Sequence, residues 1–296
     1  MIVLVVLVAA GFVSRRLGLM DAEFDRKLSN FVMLVSAPCL ILSSTMGGEL
    51  PDRSHILPLA GIGIVTYIIL IGLGCLLPRF MPVKEDERGM YRFMLSYPNV
   101  GFIGFPIVAS IFGNHAIFYA SLLNIPNTVT IFVFGTMFVS GARLGRFNWR
   151  LLYSPFMVAT YISIVIVALG LHTPDVVAKP VTLLGGMTVP SALLVIGSSI
   201  ASMPLKKVMG SRGTYVMCVL RLLVLPVVVL GVLRLMHVDP YIAGIDMVLA
   251  GMPVASFGTM FCLKYGKDET AMSQGTFFST LLSVISIPLL TIVLSM

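Results

Sequence analysis

The segment Leu95 to Pro106 reads LSYPNVGFIGFP. It carries Pro98, Asn99, Gly101, Gly104 and Pro106 inside an apolar stretch long enough to cross a bilayer. Proline lacks a backbone N–H and clashes with the preceding turn, and nearby glycines weaken a helix further. In hydrocarbon, broken backbone survives only where protein buries it or a cavity solvates it. The break therefore leaves helix ends inside the protein. A half-helix that restarts there presents unpaired N–H groups and a partial positive charge of ~0.5 e, which makes an anion site without a basic side chain. Asn99 adds an amide that either donates to a carboxylate or caps a freed backbone group. A second such stretch, Ala250 to Thr259, reads AGMPVASFGT. Pro98, Asn99, Val100 and Gly101 on one stretch, with Pro253, Val254, Ala255 and Ser256 on the other, are the candidate residues for holding a carboxylate.

Further polar residues lie in apolar surroundings. Asn124 and Asn127 are three positions apart, so they share a helix face. They read either as part of the same site or as interhelical hydrogen-bonding residues. Thr188, Ser191, Ser198, Ser199, Ser202, Gln274, Thr276 and Ser279 read as small polar residues that let helices pack closely. Arg221 lies well inside an apolar segment and is expected to snorkel to the headgroups. Pairing with helix C-terminal carbonyls, or a place in an inner anion vestibule, are its alternatives. Asp246 reads as a loop-edge residue. Apart from it, the apolar segments carry no Asp or Glu, which disfavours a cation antiporter that exchanges ions on intramembrane carboxylates. There is no HExxH, GxSxG or Walker pattern and no catalytic carboxylate pair, so neither an intramembrane hydrolase nor an ATP-driven pump is indicated. Cys39, Cys75, Cys218 and Cys262 lack CxxC spacing and read as buried small residues. No cofactor, metal or enzymatic activity is expected.

The elements that must position these residues are membrane helices. The chain has 296 residues, 57% hydrophobic and 11% charged, with a mean hydropathy of +1.00. Soluble domains carry about 25% charged residues. Spans need about 20 apolar residues. Ten intervals qualify, roughly 1–17, 27–47, 55–77, 89–111, 114–140, 151–171, 177–202, 213–236, 241–263 and 270–295. Arg15 and Arg16 follow the first apolar run rather than precede it, so that run reads as a span and not as a signal peptide. With the N-terminus outside, sixteen Lys and Arg fall in odd-numbered loops and three, Arg53, Lys179 and Arg234, in even-numbered ones. This is a positive-inside pattern with both termini outside, and it accounts for the net charge of +7 without nucleic acid. All four histidines then fall in outer loops.

The chain also repeats internally. LVSAPCLILSS around Pro38 matches MTVPSALLVIGSS around Pro190, and LSYPNVGF around Pro98 matches AGMPVASF around Pro253, at offsets of 152 and 155. The expected domains are 1–140, a first five-helix repeat; 141–150, a cytoplasmic linker; and 151–296, a second repeat. An odd number of helices per half inverts the second repeat in the membrane. Paired broken helices in inverted repeats point to a transporter's binding site.

The chain resembles the auxin efflux carrier family, including bacterial members described as malate or malonate permeases. The resemblance rests on PNVGFIGFP in the fourth span, LSNFVMLVSAPCLILSS in the second, and Ser279, Thr280, Ser283 and Pro288 in the last. It covers essentially the whole chain. It implies ten helices in two inverted five-helix repeats, similar to the sodium/proton antiporter and bile-acid transporter fold. Helices four and nine would break at proline and cross near the bilayer midplane, and small organic anions would be the substrates. It further implies that helices three to five with eight to ten move against one, two, six and seven. Gly141 to Arg150 is short, as in prokaryotic members. The second break has Val254 where the first has Asn99, which leaves an amide from the ninth span unsupported.

These readings converge on an all-α, multi-pass protein of the cell (inner) membrane. It would carry mono- or dicarboxylates or auxin-like acids by alternating access, as a secondary active transporter or a facilitator. A sodium- or proton-coupled transporter of another organic solute, and a non-transporting sensor or complex subunit, are the alternatives. The expected partners are the organic anion and the lipid bilayer, with a homodimer left open.

Overall fold

The computed structural model describes residues 2–46, 56–141, 153, 155–202, 210–268 and 270–295. Beyond Gly141, the expected linker 141–150 lies outside the described residues, as do Arg53, His55, Lys206 and Lys207. The regular structure of the described residues is helical. Helix α1 (Ile2–Arg16) is followed by α2 (Ala22–Phe31) and α3 (Ala37–Met46), then by α4 (Ile56–Leu76). Next come α5 (Arg88–Ser96), α6 (Phe105–Phe112), α7 (Ala116–Leu123), α8 (Ile125–Thr130) and α9 (Thr136–Ser140). The later part holds α10 (Pro155–Leu169), α11 (Asp175–Gly186), α12 (Thr188–Ser202), α13 (Arg212–Val219) and α14 (Leu225–Leu235). The last elements are α15 (Pro240–Ala250), α16 (Phe257–Lys264) and α17 (Thr270–Ser295).

Several of these join into longer runs. Among the described residues, six runs are long and apolar enough to cross a membrane: 22–46, 56–79, 116–140, 175–198, 212–235 and 270–294. Val100–Phe112, Pro155–Leu169 and Pro240–Ala250 are shorter apolar helices. The second run begins earlier than position 27 because Asp21 caps it, its carboxylate accepting from the Phe24 N–H at 2.7 Å.

Three of the joints share a cause, though the π-helical segment Ile131–Gly135, which no proline closely follows, does not. The π-helical segments Val32–Ser36, Val100–Gly104 and Leu220–Val224 each end two residues before a proline: Pro38, Pro106 and Pro226. A proline inside a helix has no N–H to donate and its ring crowds the carbonyl one turn back. Widening that turn to π geometry relieves the crowding while neighbouring carbonyls keep partners.

The chain forms two compact units, each drawing on both halves of the sequence. The first comprises Met1–Gly61, Gly101–Leu123 and Leu152–Met203. Its tightest packing is α1 on α12. A Cβ at Gly11 would lie 2.1 Å from the Leu194 carbonyl oxygen, and one at Gly197 would lie 2.0 Å from that of Val8. Each glycine thus admits the other helix's backbone, as small residues do at membrane helix interfaces. In the same unit Ser36 Oγ and Thr188 Oγ1 share a hydrogen bond of 2.5 Å, and Ser36 also donates to the Leu184 carbonyl. The second unit comprises Ile62–Val100, Asn124–Leu151 and Pro204–Met296. Its core includes Tyr91, Phe93, Met94, Tyr97, Met217, Met247, Val254, Phe261 and Met272.

Gly197→Val should lower the melting temperature in detergent sharply, at the upper end of the ~1–3 kcal/mol typical of overpacking, because backbone rather than a flexible side chain blocks the added methyls. Gly61→Ala, whose new methyl meets nothing within 4 Å, is the control and should not lower it.

Candidate functional site

Helix α5 stops at Ser96, and Tyr97 turns to extended backbone (φ −116°, ψ 104°). Helix α15 stops at Ala250, and α16 starts only at Phe257. The two breaks meet in an antiparallel bridge between Pro98 and Val254. The Asn99 N–H donates to the Pro253 carbonyl at 2.8 Å, and the Ala255 N–H donates to the Tyr97 carbonyl at 3.0 Å. The Val254 N–H donates to Ser279 Oγ on α17 at 3.1 Å. Each break thus satisfies the other's backbone, as a low-dielectric interior demands. Pro98, Asn99, Val100, Pro253, Val254 and Ala255 are buried, and Ser256 is exposed. The predicted residues of both stretches are therefore brought together. Gly101 follows directly, packed so that a Cβ would touch the Phe156 ring at 3.4 Å.

The register differs by one residue from proline-on-proline pairing. Pro98 stands opposite Val254, so Asn99 does not face Val254. Its side-chain Nδ2 donates to Ser256 Oγ at 3.0 Å, while Val254 is fully buried in the apolar core. The polar counterpart of Asn99 on the second stretch is thus a hydroxyl, where the sequence comparison looked for an amide.

Arg221 does not reach the headgroups. It is fully buried, and its Nε, Nη1 and Nη2 donate to the carbonyls of Met252 (3.1 Å), Leu95 (2.7 Å) and Ala250 (2.8 Å). Leu95 lies in the last turn of α5, Ala250 ends α15, and Met252 lies in the break. One guanidinium therefore satisfies the negative ends of both half-helices. Snorkelling loses because it would leave three carbonyls without partners, at about 1–3 kcal/mol each. Beyond the breaks the chain returns to helix at Val100 and Phe257, directly after Asn99 and Ser256. A helix end that restarts in this way carries a partial positive charge of ~0.5 e.

Asn124 and Asn127 are buried and bonded to each other, Nδ2 of Asn127 to Oδ1 of Asn124 at 3.0 Å. Oδ1 of Asn127 is buried and without a partner among the described residues. No hydrogen bond described here joins either residue to the crossover. The link runs instead through Tyr97, whose hydroxyl donates to the carbonyl of Thr130, the last residue of α8, at 3.0 Å. Asp246 is not at a loop edge. It is buried inside α15 and accepts a hydrogen bond from Thr66 Oγ1. The sequence held the signal, since Asp239-Pro240 is a helix start: Asp239 caps the N–H groups of Tyr241 and Ile242, which puts Asp246 well inside. Cys218 and Cys262 are buried, whereas Cys39 and Cys75 are only half-buried.

Arg221→Met should be the most damaging substitution in the second unit, costing roughly 3–5 kcal/mol as for a broken buried charge pair, read as a lowered melting temperature. Arg221→Lys should recover only part of it, because an ammonium cannot reproduce the planar fork that spans three carbonyls. Among known proteins, the sequence profile of the membrane transport protein family matches residues 1–144 and 141–291. An "uncharacterized transporter" of Methanothermobacter thermautotrophicus is 24% identical over 98% of this chain and 95% of its own length. An "uncharacterized transporter" of Methanocaldococcus jannaschii is 21% identical over 97% and 96%. A protein of Rhizobium meliloti named "putative malonate transporter" is 23% identical over 95% and 90%. The chain belongs to the membrane transport protein family, that of the auxin efflux carriers, and is a multi-pass membrane transporter.

Proposed function

We propose that this transporter carries small organic anions, mono- or dicarboxylates, by alternating access at the crossover of the two broken helices. The observation that carries the reading is the sorting of charge about the breaks. Arg221 is committed to the C-terminal carbonyls, which leaves the partial positive charge of the restarting ends to attract a carboxylate. Pro98 to Gly101 and Pro253 to Ser256 form the cradle, with Asn99 and Ser256 as side-chain donors and Asn124 and Asn127 as further polar lining. The name of the Rhizobium meliloti relative makes malonate the first substrate to try.

The architecture behind the proposal is ten spans in two inverted five-helix repeats, 1–140 and 151–296, with both termini outside the cell membrane. Helical residues in every one of the ten predicted intervals support it. So does the meeting of Ser36 with Thr188, each two residues before the matched prolines Pro38 and Pro190, as residues on a shared two-fold axis would meet. The two backbone bonds of the crossover exchange in the same way about Pro98 and Val254.

Purified protein screened against a carboxylate panel tests the reading. Malonate or a related anion should raise the melting temperature of the wild type. Asn99→Ala should weaken that effect about tenfold in concentration, or about 1.4 kcal/mol. Asn99→Asp, which puts a negative charge at the same place, should abolish it. Stabilisation by neutral solutes or cations alone would sink the anion assignment.

A further inference from the structure

We propose that Asp246 is the proton-binding group that couples this transporter to the proton gradient. It is 2% exposed and lies among Ile245, Met247 and Val248, all buried. Its described hydrogen bond comes from Thr66 Oγ1 on α4 to Oδ2. Among the described residues no ion pair reaches it. A lone negative charge in such a place carries a heavy desolvation cost, whereas a protonated carboxyl does not. A purely structural polar contact to Thr66 would be met by a serine or an asparagine without that cost.

The groups around Asp246 leave it as the residue that takes up the proton. Tyr67, next to Thr66 on α4, is buried and within electrostatic reach of both Asp246 and Arg221. A phenol releases its proton only near pH 10 even in water. Arg221 faces the same core, with all three nitrogens engaged by carbonyls. Helix α14 offers only Arg234, exposed near its far end, and α17 holds no titratable side chain. Tyr91 and Tyr97 on the α5 side are bonded to Ser211, Thr214 and the Thr130 carbonyl.

The position gives protonation a consequence. Asp246 precedes by one helical turn Ala250, whose carbonyl Arg221 holds. With the proton on, the carboxyl is neutral and Arg221 serves the carbonyls alone. With the proton off, a full negative charge sits one turn from the end of α15 that Arg221 holds. In each cycle one proton binds a carboxylate oxygen of Asp246 from one face of the membrane and leaves to the other. Moving together with a monoanion, that proton makes the step electroneutral.

Infrared difference spectroscopy of the full chain in lipid nanodiscs tests the site without any substrate. A carboxylic-acid C=O band should be present at low pH, vanish as pH rises, and be missing from Asp246→Asn. Thr66→Val, which keeps the carboxyl and removes the donor to its charged form, should hold the proton to a higher pH and covers the case in which Asp246→Asn fails to fold. A band that does not titrate, or no band at all, overturns the proposal. Radiolabelled malonate uptake into proteoliposomes tests the coupling, which rests on the organic-anion reading. Wild-type uptake should change about tenfold per pH unit on the limb where one proton is taken up, and Asp246→Asn should be flat. Malonate uptake that is insensitive to pH in the wild type also overturns the coupling. A titrating band with no malonate uptake under any gradient places the fault in the substrate assignment and leaves the proton site standing.

Discussion

The hold of one guanidinium on three backbone carbonyls is the interaction on which the crossover depends. Breaking two helices inside a membrane protein frees carbonyls at two C-terminal ends, and hydrocarbon supplies no water to satisfy them. Arg221 reaches Leu95 on one half-helix and Ala250 and Met252 on the other. It supplies donors and a positive charge together. The desolvation that makes a buried arginine costly is offset by groups that would be costly alone. The bridge between Pro98 and Val254 and the hydroxyl of Ser279 satisfy further backbone polar groups at the break. Because the same side chain holds both ends, a disturbance of one break reaches the other.

Legibility from sequence followed the range of the interactions. The breaks themselves could be read, because proline and glycine act on their own backbone. So could the long apolar runs, and the family from the residues around Pro98. What depends on side-chain direction could not. Arg221 looks free to reach headgroups in the sequence because the carbonyls that capture it lie 29, 31 and 126 positions away along the chain. Asn99 and Val254 looked like an unexplained mismatch because prolines were aligned with prolines. An antiparallel bridge pairs residues by its own register, and that register gives Asn99 a hydroxyl partner at Ser256. Asp246 was misplaced although its helix start was written in Asp239 and Pro240.

The two compact units illustrate the same limit. The repeat expected from sequence would divide the chain near its middle, yet each unit takes helices from both halves. The contact of α1 with α12 rests on Gly11 and Gly197, where missing side chains let backbones approach. Nothing in the local pattern around either glycine names the other. The repeat and the units describe different things: one is a relation between sequences, the other a relation between surfaces that pack.

If the crossover is the binding site proposed above, separating the two kinds of helix end also explains why basic side chains are kept out of it. A carboxylate held by arginine or lysine at low dielectric gains a strong ion pair, and a carrier must release what it binds. N–H groups, an amide and a hydroxyl offer a partial charge and directed hydrogen bonds instead, enough to select an anion and weak enough to let it go. The full charge sits on the opposite ends of the same helices, where Arg221 is occupied by carbonyls that never leave. At the proposed site the arginine would thus set the polarity without entering it.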